Sequence, residues 1–392
     1  MKESRRRFSA TEYAARQQGT REAMLAKGLD LLIVSDPSNM CWLTGFDGWS
    51  FYVHQCVVIG SQGELFWYGR GIDAATAYLT TDLPHADVVS YPDDYVQSPD
   101  IHPMEYLADI LKQRKLHNGT IGLEKDNYYF SGRALESLYR TLPDATFSDA
   151  TVLVNWQRAI KSEQEIAYMR GAGKVIESVY QRIMDVAKPG MRKNELAAEI
   201  LHAGTTGTPE FYGDYTAIVP LMGMGDEASA CHMTWDGSRL DSNDGMFLEL
   251  AGAHARYHCP VSRTLYFGEP PAKYRDIEKV ILEGIEVTLE QCKPGNTCGE
   301  VAKTFFDLLR KYGYEKDNRC GYSIGMSYPP DWGERTMSWR NHDTTVLQEG
   351  MCFHFMPGIW FEDWGFEMTE SLTITPQGGE CLSNVPRKLL VK

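Results

Sequence analysis

Gly245-Met-Phe-Leu-Glu-Leu-Ala-Gly-Ala-His-Ala-Arg-Tyr-His-Cys-Pro-Val-Ser-Arg-Thr264 reads as two strands joined by a tight turn. Met246-Phe-Leu-Glu-Leu250 is apolar except for one acid, Glu249. A carboxylate inside such a strand is costly to bury without a partner, so function is the stronger reading of Glu249. His254 and His258 are four apart, but a hairpin does not stack such residues as a helix would. Solvated or hydrogen-bonded turn residues are expected there, not a metal pair. Pro260 has no side-chain lone pair to offer a metal.

Helical patterns flank this hairpin on both sides. Ser162 followed by Glu165 is a capping-box signature that opens a helix expected over 163–187. Further helices are expected over 193–203, 273–292 and 298–311. Pro189-Gly190 ends the first and Pro294-Gly295 ends the third. Lys188-Pro-Gly-Met-Arg-Lys-Asn-Glu-Leu196 and Lys293-Pro-Gly-Asn-Thr-Cys-Gly-Glu-Val301 match in spacing, each ending one helix and starting the next. Each precedes a Gly-rich, strand-forming region. The match therefore predicts a duplicated αα-plus-sheet unit whose half-sheets close around one cleft, the expected binding site.

The first half alternates instead. A helix is expected over 11–27, strands over 30–34, 56–60, 64–68 and 119–123, and a second helix over 103–116. Residues 37–45 read as a turn followed by a strand. Strands alternating with helices predict an α/β layer domain.

The chain has 392 residues, 43% hydrophobic and 23% charged, which suits two globular domains. A net charge of −14 argues against nucleic acid or an anionic membrane as partner. The nine cysteines form no Cys-x-x-Cys pair, so reduced, packed thiols in the cytoplasm are expected. The basic start, Lys2-Glu-Ser-Arg-Arg-Arg-Phe8, has no apolar run after it, so no signal peptide is expected. No apolar run is long enough to span a bilayer.

Arg158-x-x-Lys161-Ser162, the paired Lys-Pro-Gly motifs, residues 249–264, Gly321-Tyr-Ser-Ile-Gly325, Met356-Pro-Gly358 and the strand near Glu370 follow one order. In that order the whole chain resembles the pita-bread (creatinase, aminopeptidase P and prolidase, M24) superfamily. The resemblance implies an α/β creatinase-type N-terminal domain over 1–155. It also implies an α+β pita-bread catalytic domain over 156–392, with pseudo-twofold duplicated αα-β units. Metal-bearing members use two aspartates, a histidine and two glutamates. The matching positions here hold Glu249, Pro260, Tyr322, Met356 and, depending on register, Thr369 or Glu370. At most two of five ligands remain, and proline, methionine and tyrosine do not supply the donors a dinuclear site needs. The resemblance thus implies no metal and no cofactor.

Creatinase exemplifies the branch without metal, and its catalytic histidine corresponds to His232, expected on a strand over 228–233. Residues 321–334 and 355–360 look most like the branch that opens the cyclic amidine of ectoine. The implied reaction is hydrolysis of that C–N bond to N-acetyl-L-2,4-diaminobutyrate, with hydroxyectoine as a second candidate substrate. His232 and Glu249 are the expected catalytic residues, with either a histidine base or a covalent glutamate. A zwitterionic amidine needs carboxylates for its cation, for which Glu249, Glu334, Glu367 and Glu370 are candidates. Glu367 and Glu370 are three apart, so a regular strand would turn only one of them into the cleft. Arg335 is the candidate for the substrate carboxylate, Tyr322 for the pocket, and Trp332, Trp360 and Trp364 for cation–π faces. Arg263 is expected to be structural. In creatinase-like homodimers the N-terminal domain caps the partner's cleft, which implies pocket roles for Phe51 and Tyr52. A deacetylase is the implied partner for the acetylated product. Three alternatives stay open: a creatinase-like hydrolase of another amidine or guanidine, a metal-dependent Xaa-Pro peptidase disfavoured by the lost ligands, and a non-enzymatic peptide-binding module.

Overall fold

The structure, a computed structural model, describes residues 6–392, so most of the basic run at 2–8 lies outside the described residues. The chain divides into two compact units, Met1–Arg158 and Ala159–Lys392.

The first unit is a six-stranded sheet with helices. Its strands are β1 (Leu31–Val34), β2 (Cys56–Gly60), β3 (Leu65–Arg70), β4 (Val88–Tyr91), β5 (Gly119–Leu123) and β6 (Ala145–Asp149), in the order β4-β3-β2-β1-β5-β6. Its helices are α1 (Ala10–Ala26), α2 (Pro37–Thr44), α3 (Ala74–Thr80), α4 (Pro103–Gln113), α5 (Gly132–Thr141) and α6 (Leu153–Gln157). Ile33, Val58 and Phe66 from the sheet pack with Leu107 of α4 and Leu138 of α5 in one core. Residues 37–44, expected as a turn and a strand, form α2 instead. Asp36 caps the Ser38 N–H at 2.8 Å, Pro37 opens the first turn, and Gly45 ends the helix at φ 83°. Proline at the start and left-handed glycine at the end are helix punctuation, and here they outweigh the apolar run between them.

The second unit contains both repeats. The first comprises α7 (Glu163–Val186), α8 (Lys193–Thr206), β7 (Leu221–Met224), β8 (Gly245–His254) and β9 (Tyr257–Tyr266). The second comprises α9 (Ala272–Gln291), α10 (Cys298–Lys311), β10 (Gly321–Tyr328), β11 (Asp331–Trp339) and β12 (Cys352–Phe355). Short strands follow: β13 (Ile359–Trp360), β14 (Gly365–Phe366), β15 (Glu370–Thr375), β16 (Gly378–Cys381) and β17 (Leu390–Val391). The main sheet runs β16-β15-β12-β10-β9-β8-β7, and the two repeats meet at β9 and β10. Reciprocal capping boxes start α7 (Ser162 and Glu165) and α10 (Thr297 and Glu300). Gly190 and Gly295 take left-handed backbone, φ 84° and φ 98°, in the two Lys-Pro-Gly turns.

The β8–β9 hairpin turns on Ala255 and Arg256, with positive φ of 51° and 69°, the pattern of a type I′ connection. It pairs Glu249 with Ser262 and Ala251 with Pro260, and all residues of both strands are buried. The strand expected over 228–233 is absent. The chain leaves β7 at Met224, turns at Gly225 (φ 60°), and makes a short 3-10 helix over Gly225–Ser229. Glu227 of that helix pairs with Lys193 of α8, which fixes the turn against the first repeat. Among the described residues no helix is long and apolar enough to cross a membrane.

Candidate active site

A cavity of about 920 Å³ opens within the second unit. Glu249 reaches it from β8, Tyr322 from β10, and Glu367 from the segment before β15. His232 and Cys231 line it from the turn after β7, Lys316 and Arg319 from the segment between α10 and β10, and Trp360 from β13.

Glu249 is 6% exposed and Glu367 1%. Thr264 clamps the backbone of Glu367: it takes the Glu367 N–H at 2.8 Å and donates its hydroxyl to the Glu367 carbonyl at 3.0 Å. Burial raises both carboxyls above the usual range. Glu249 is raised further by the neighbouring Glu367 charge. Glu367 is pushed up to about 7, with Ser262 and Lys316 pulling it back. Two buried acids that repel each other resist being ionised together.

Because these pKa values are raised by folding, the folded chain binds protons more tightly than the unfolded chain. Stability from this source is greatest below the ordinary carboxylate range and falls as pH rises towards about 7. Glu367→Gln is therefore expected to be more stable than the parent at pH 8, by as much as about 3 kcal/mol, with little advantage at pH 4. Urea denaturation at the two pH values measures this, and an equal difference at both would contradict it.

Opposite charge is close by. The Lys316 ammonium donates to the Gly358 carbonyl at 2.8 Å and lies 4.8 Å from the Trp360 ring. Burial lowers its pKa, while Glu367 is among the groups that oppose the shift. The Arg319 guanidinium lies 4.4 Å over the Tyr322 ring and donates to Ser338 Oγ at 3.3 Å. One cavity thus offers acids to a cation, bases to an anion, and an aromatic wall.

A buried polar chain runs behind that wall. Trp332 Nε1 donates to Tyr322 Oη at 2.6 Å. His354 Nδ1 lies 2.9 Å from the same oxygen, and its Nε2 lies 2.7 Å from Thr369 Oγ1. The Ser262 N–H donates to Thr369 Oγ1 at 2.7 Å. Full burial drops the His354 pKa to about 3, so the ring is neutral.

The cavity gathers Glu249, His232, Tyr322, Trp360 and Glu367 of the expected residues. His232 is exposed and sits on a turn, not on the expected strand. Glu334, expected to grip the substrate, instead pairs with Lys161 at 2.5 Å, both side chains 1% exposed. Glu370 instead accepts from Arg263 Nη2 at 2.7 Å and Arg387 Nε at 3.0 Å. Arg335 does not line the cavity, whose basic lining residues include Lys316, Arg319 and Arg340. Trp332 is wholly buried and supports Tyr322 from behind. Trp364 stacks on Phe361 (centroids 4.4 Å apart, 8° between planes) in the core of the second repeat. Phe51 and Tyr52 belong to the first unit, where Phe51 lies edge-on to Tyr129 and Tyr52 lines a small cavity with His54 and His102. His254 and His258 are hydrogen-bonded near the turn, to Tyr212 O and Ala217 N.

Lys316, Arg319 and His354 were not among the expected site residues. The first two lie on a segment without periodicity, which carries no pattern to read. A signal for His354 did exist: a histidine within the apolar run Cys352-Phe-His-Phe355 requires partners when buried.

The metal that the pita-bread fold implies does not fit these residues. Of the five ligand positions, Pro260 has no donor, Met356 offers a soft thioether, and the Tyr322 and Thr369 hydroxyls are engaged with His354. Glu370 is engaged by two arginines, which leaves Glu249.

The profile of metallopeptidase family M24 matches residues 167–376, and that of the creatinase/prolidase N-terminal domain matches residues 16–160. An ectoine hydrolase of Halomonas elongata is 53% identical over 392 residues, 98% of each chain. An uncharacterized hydrolase/peptidase of Sinorhizobium fredii is 42% identical over 98% of each chain. Among solved structures, a prolidase from Thermococcus sibiricus superposes with a TM-score of 0.85 over 98% of this chain and all of its own, at 18% identity. That likeness carries the fold alone.

Proposed function

The chain belongs to metallopeptidase family M24 and carries a creatinase/prolidase N-terminal domain, and from this premise we propose that it is a hydrolase of the cyclic amidine of ectoine. The observation that carries the reading is the cavity itself: two buried carboxyls, Glu249 and Glu367, with Lys316 and Arg319 in the same chamber. Ectoine is a compact zwitterion with one amidinium and one carboxylate. The amidinium suits the Glu249–Glu367 pair, whose remaining negative charge it neutralises. The carboxylate suits Arg319 and Lys316, and the apolar ring suits Trp360.

In this reading water adds to the amidine carbon, both of its protons end on the departing ring nitrogen, one at addition and one at collapse, and the ring C–N bond breaks. The product is one acetylated and one free amine, N-acetyl-L-2,4-diaminobutyrate. The Glu249–Glu367 pair holds the amidinium by its charge, and His232, exposed at the cavity, takes the first proton from water. No step is routed through a metal, because the donor set does not suit one. The reading extends to a cytoplasmic homodimer in which Phe51 and Tyr52 complete the partner's cavity, and to a deacetylase that consumes the product. Tyr52 is 63% exposed and Trp49 is 57% exposed, which suits that surface to burial by another subunit.

Incubation of chelator-treated protein with ectoine, followed by proton NMR, tests the proposal. A new acetyl methyl signal with an undiminished rate is expected. Loss of rate on chelation would overturn metal independence. Turnover of a Xaa-Pro dipeptide with none of ectoine would overturn the substrate.

A further inference from the structure

We infer that Tyr322 donates a hydrogen bond to the reacting centre, its proton turned into the cavity by His354 fixed as the Nδ1–H tautomer. The inference rests on the reaction proposed above only for the identity of the acceptor.

The direction follows from hydrogen-bond inventory. Thr369 Oγ1 already accepts from the Ser262 N–H at 2.7 Å. The hydroxyl proton of Thr369 needs an acceptor, and at 2.7 Å His354 Nε2 is the partner in reach. Thr369 is wholly buried, so water is no alternative. A neutral imidazole has one donor and one acceptor nitrogen. If Nε2 accepts, Nδ1 carries the proton and donates to Tyr322 Oη at 2.9 Å. The Trp332 indole, which can only donate, gives a second hydrogen bond to the same oxygen at 2.6 Å. Both acceptor sites of the phenol are then filled, and its O–H must point elsewhere. Tyr322 lines the cavity, so the proton points there. The opposite tautomer would draw that proton back into His354 and leave the buried Thr369 hydroxyl with nothing to donate to.

The acceptor in the cavity is the oxygen that water brings to the amidine carbon. This oxygen gains negative charge in the tetrahedral adduct as its second proton is lost to the ring nitrogen, and it becomes the amide carbonyl as that nitrogen leaves. Tyr322 donates to it without losing its proton, and burial together with Glu249 holds the phenol above its ordinary pKa. Two donors behind the phenol polarise its O–H, and a preorganised donor of this kind costs no rearrangement when charge develops. Tyr322 is in this sense a catalytic residue, and His354 and Thr369 position it.

Nitrogen-15 spectra of histidine-labelled, otherwise unaltered chain read the tautomer directly. Nδ1 of His354, assigned by its loss in His354→Asn, is expected to show the protonated, pyrrole-type shift. A pyridine-type Nδ1 overturns the inference. Tyr322→Phe is expected to lower kcat for ectoine about 100-fold with KM within about threefold, and a KM effect alone would overturn the role. His354→Asn, whose amide can replace Nδ1–H, should keep more kcat than His354→Gln, and the reverse order would overturn the positioning. If the parent does not open ectoine, the proposed function fails, while the spectrum still decides the tautomer.

Discussion

Glu249→Gln is expected to slow ring opening by about 10³-fold while leaving the chain folded. Glutamine keeps the shape of the side chain and removes its ability to ionise. The amidinium then faces Glu367 alone, and the β8 member of the pair that grips it is gone. The fold should not suffer, because an acid with a raised pKa is a source of strain at neutral pH, not of stability. The melting temperature at pH 7.5 is expected to equal or exceed that of the parent. Steady-state rates on ectoine and a thermal melt measure both. A variant that kept a tenth of the parental rate would remove Glu249 from the chemistry, and one that melted early would make it structural.

The largest loss of stability is expected at Arg263. Its guanidinium is fully buried and donates to the carbonyls of Ser262, Thr369, Val385 and Pro386 and to Glu370 Oε1, all between 2.6 and 2.8 Å. Arg263→Met should destabilise the chain by about 3–5 kcal/mol, because it strands four buried carbonyls and leaves the buried Glu370 only the partly exposed Arg387. Arg387→Met should cost less, since Arg387 is partly exposed and Arg263 would still pair Glu370. Urea midpoints of the two variants decide the order. Equal losses would mean that Glu370, rather than the knot of carbonyls, is what Arg263 serves.

The helical framework was legible because its signals are local. Ser162 with Glu165 marked α7, and the repeated Lys-Pro-Gly turns marked where helices stop and the duplicate begins. The carboxylates were legible as residue types but not as partners. Glu334, Glu367 and Glu370 look alike in one dimension, and their fates differ because Lys161, a cavity and two arginines lie beside them. Three-residue spacing did indicate that Glu367 and Glu370 would part, and they do. His232 lines the cavity from a turn and not from the expected strand, since Gly225 turns the chain before the apolar pattern can continue as a strand. Residues 37–44 failed for a related reason: eight buried residues in a row look like a core strand unless the caps at Asp36 and Gly45 are weighed first. Lys316 and Arg319 had no pattern at all.

The two-residue bend at Ala255 and Arg256 lies at the far end of the hairpin from the entry to β8, yet it sets which side chains of β8 face the cavity. Neighbouring side chains on a strand leave by opposite faces, so a slip of one position would present Leu248 or Leu250 to the cavity and bury the Glu249 charge in the layer behind. A bend closed by two left-handed residues admits one alignment of its arms. Which side chain meets the substrate is therefore decided by counting back along the strand from the bend, rather than by contact. A loop that never meets the substrate acts as the ratchet stop that keeps the right tooth engaged.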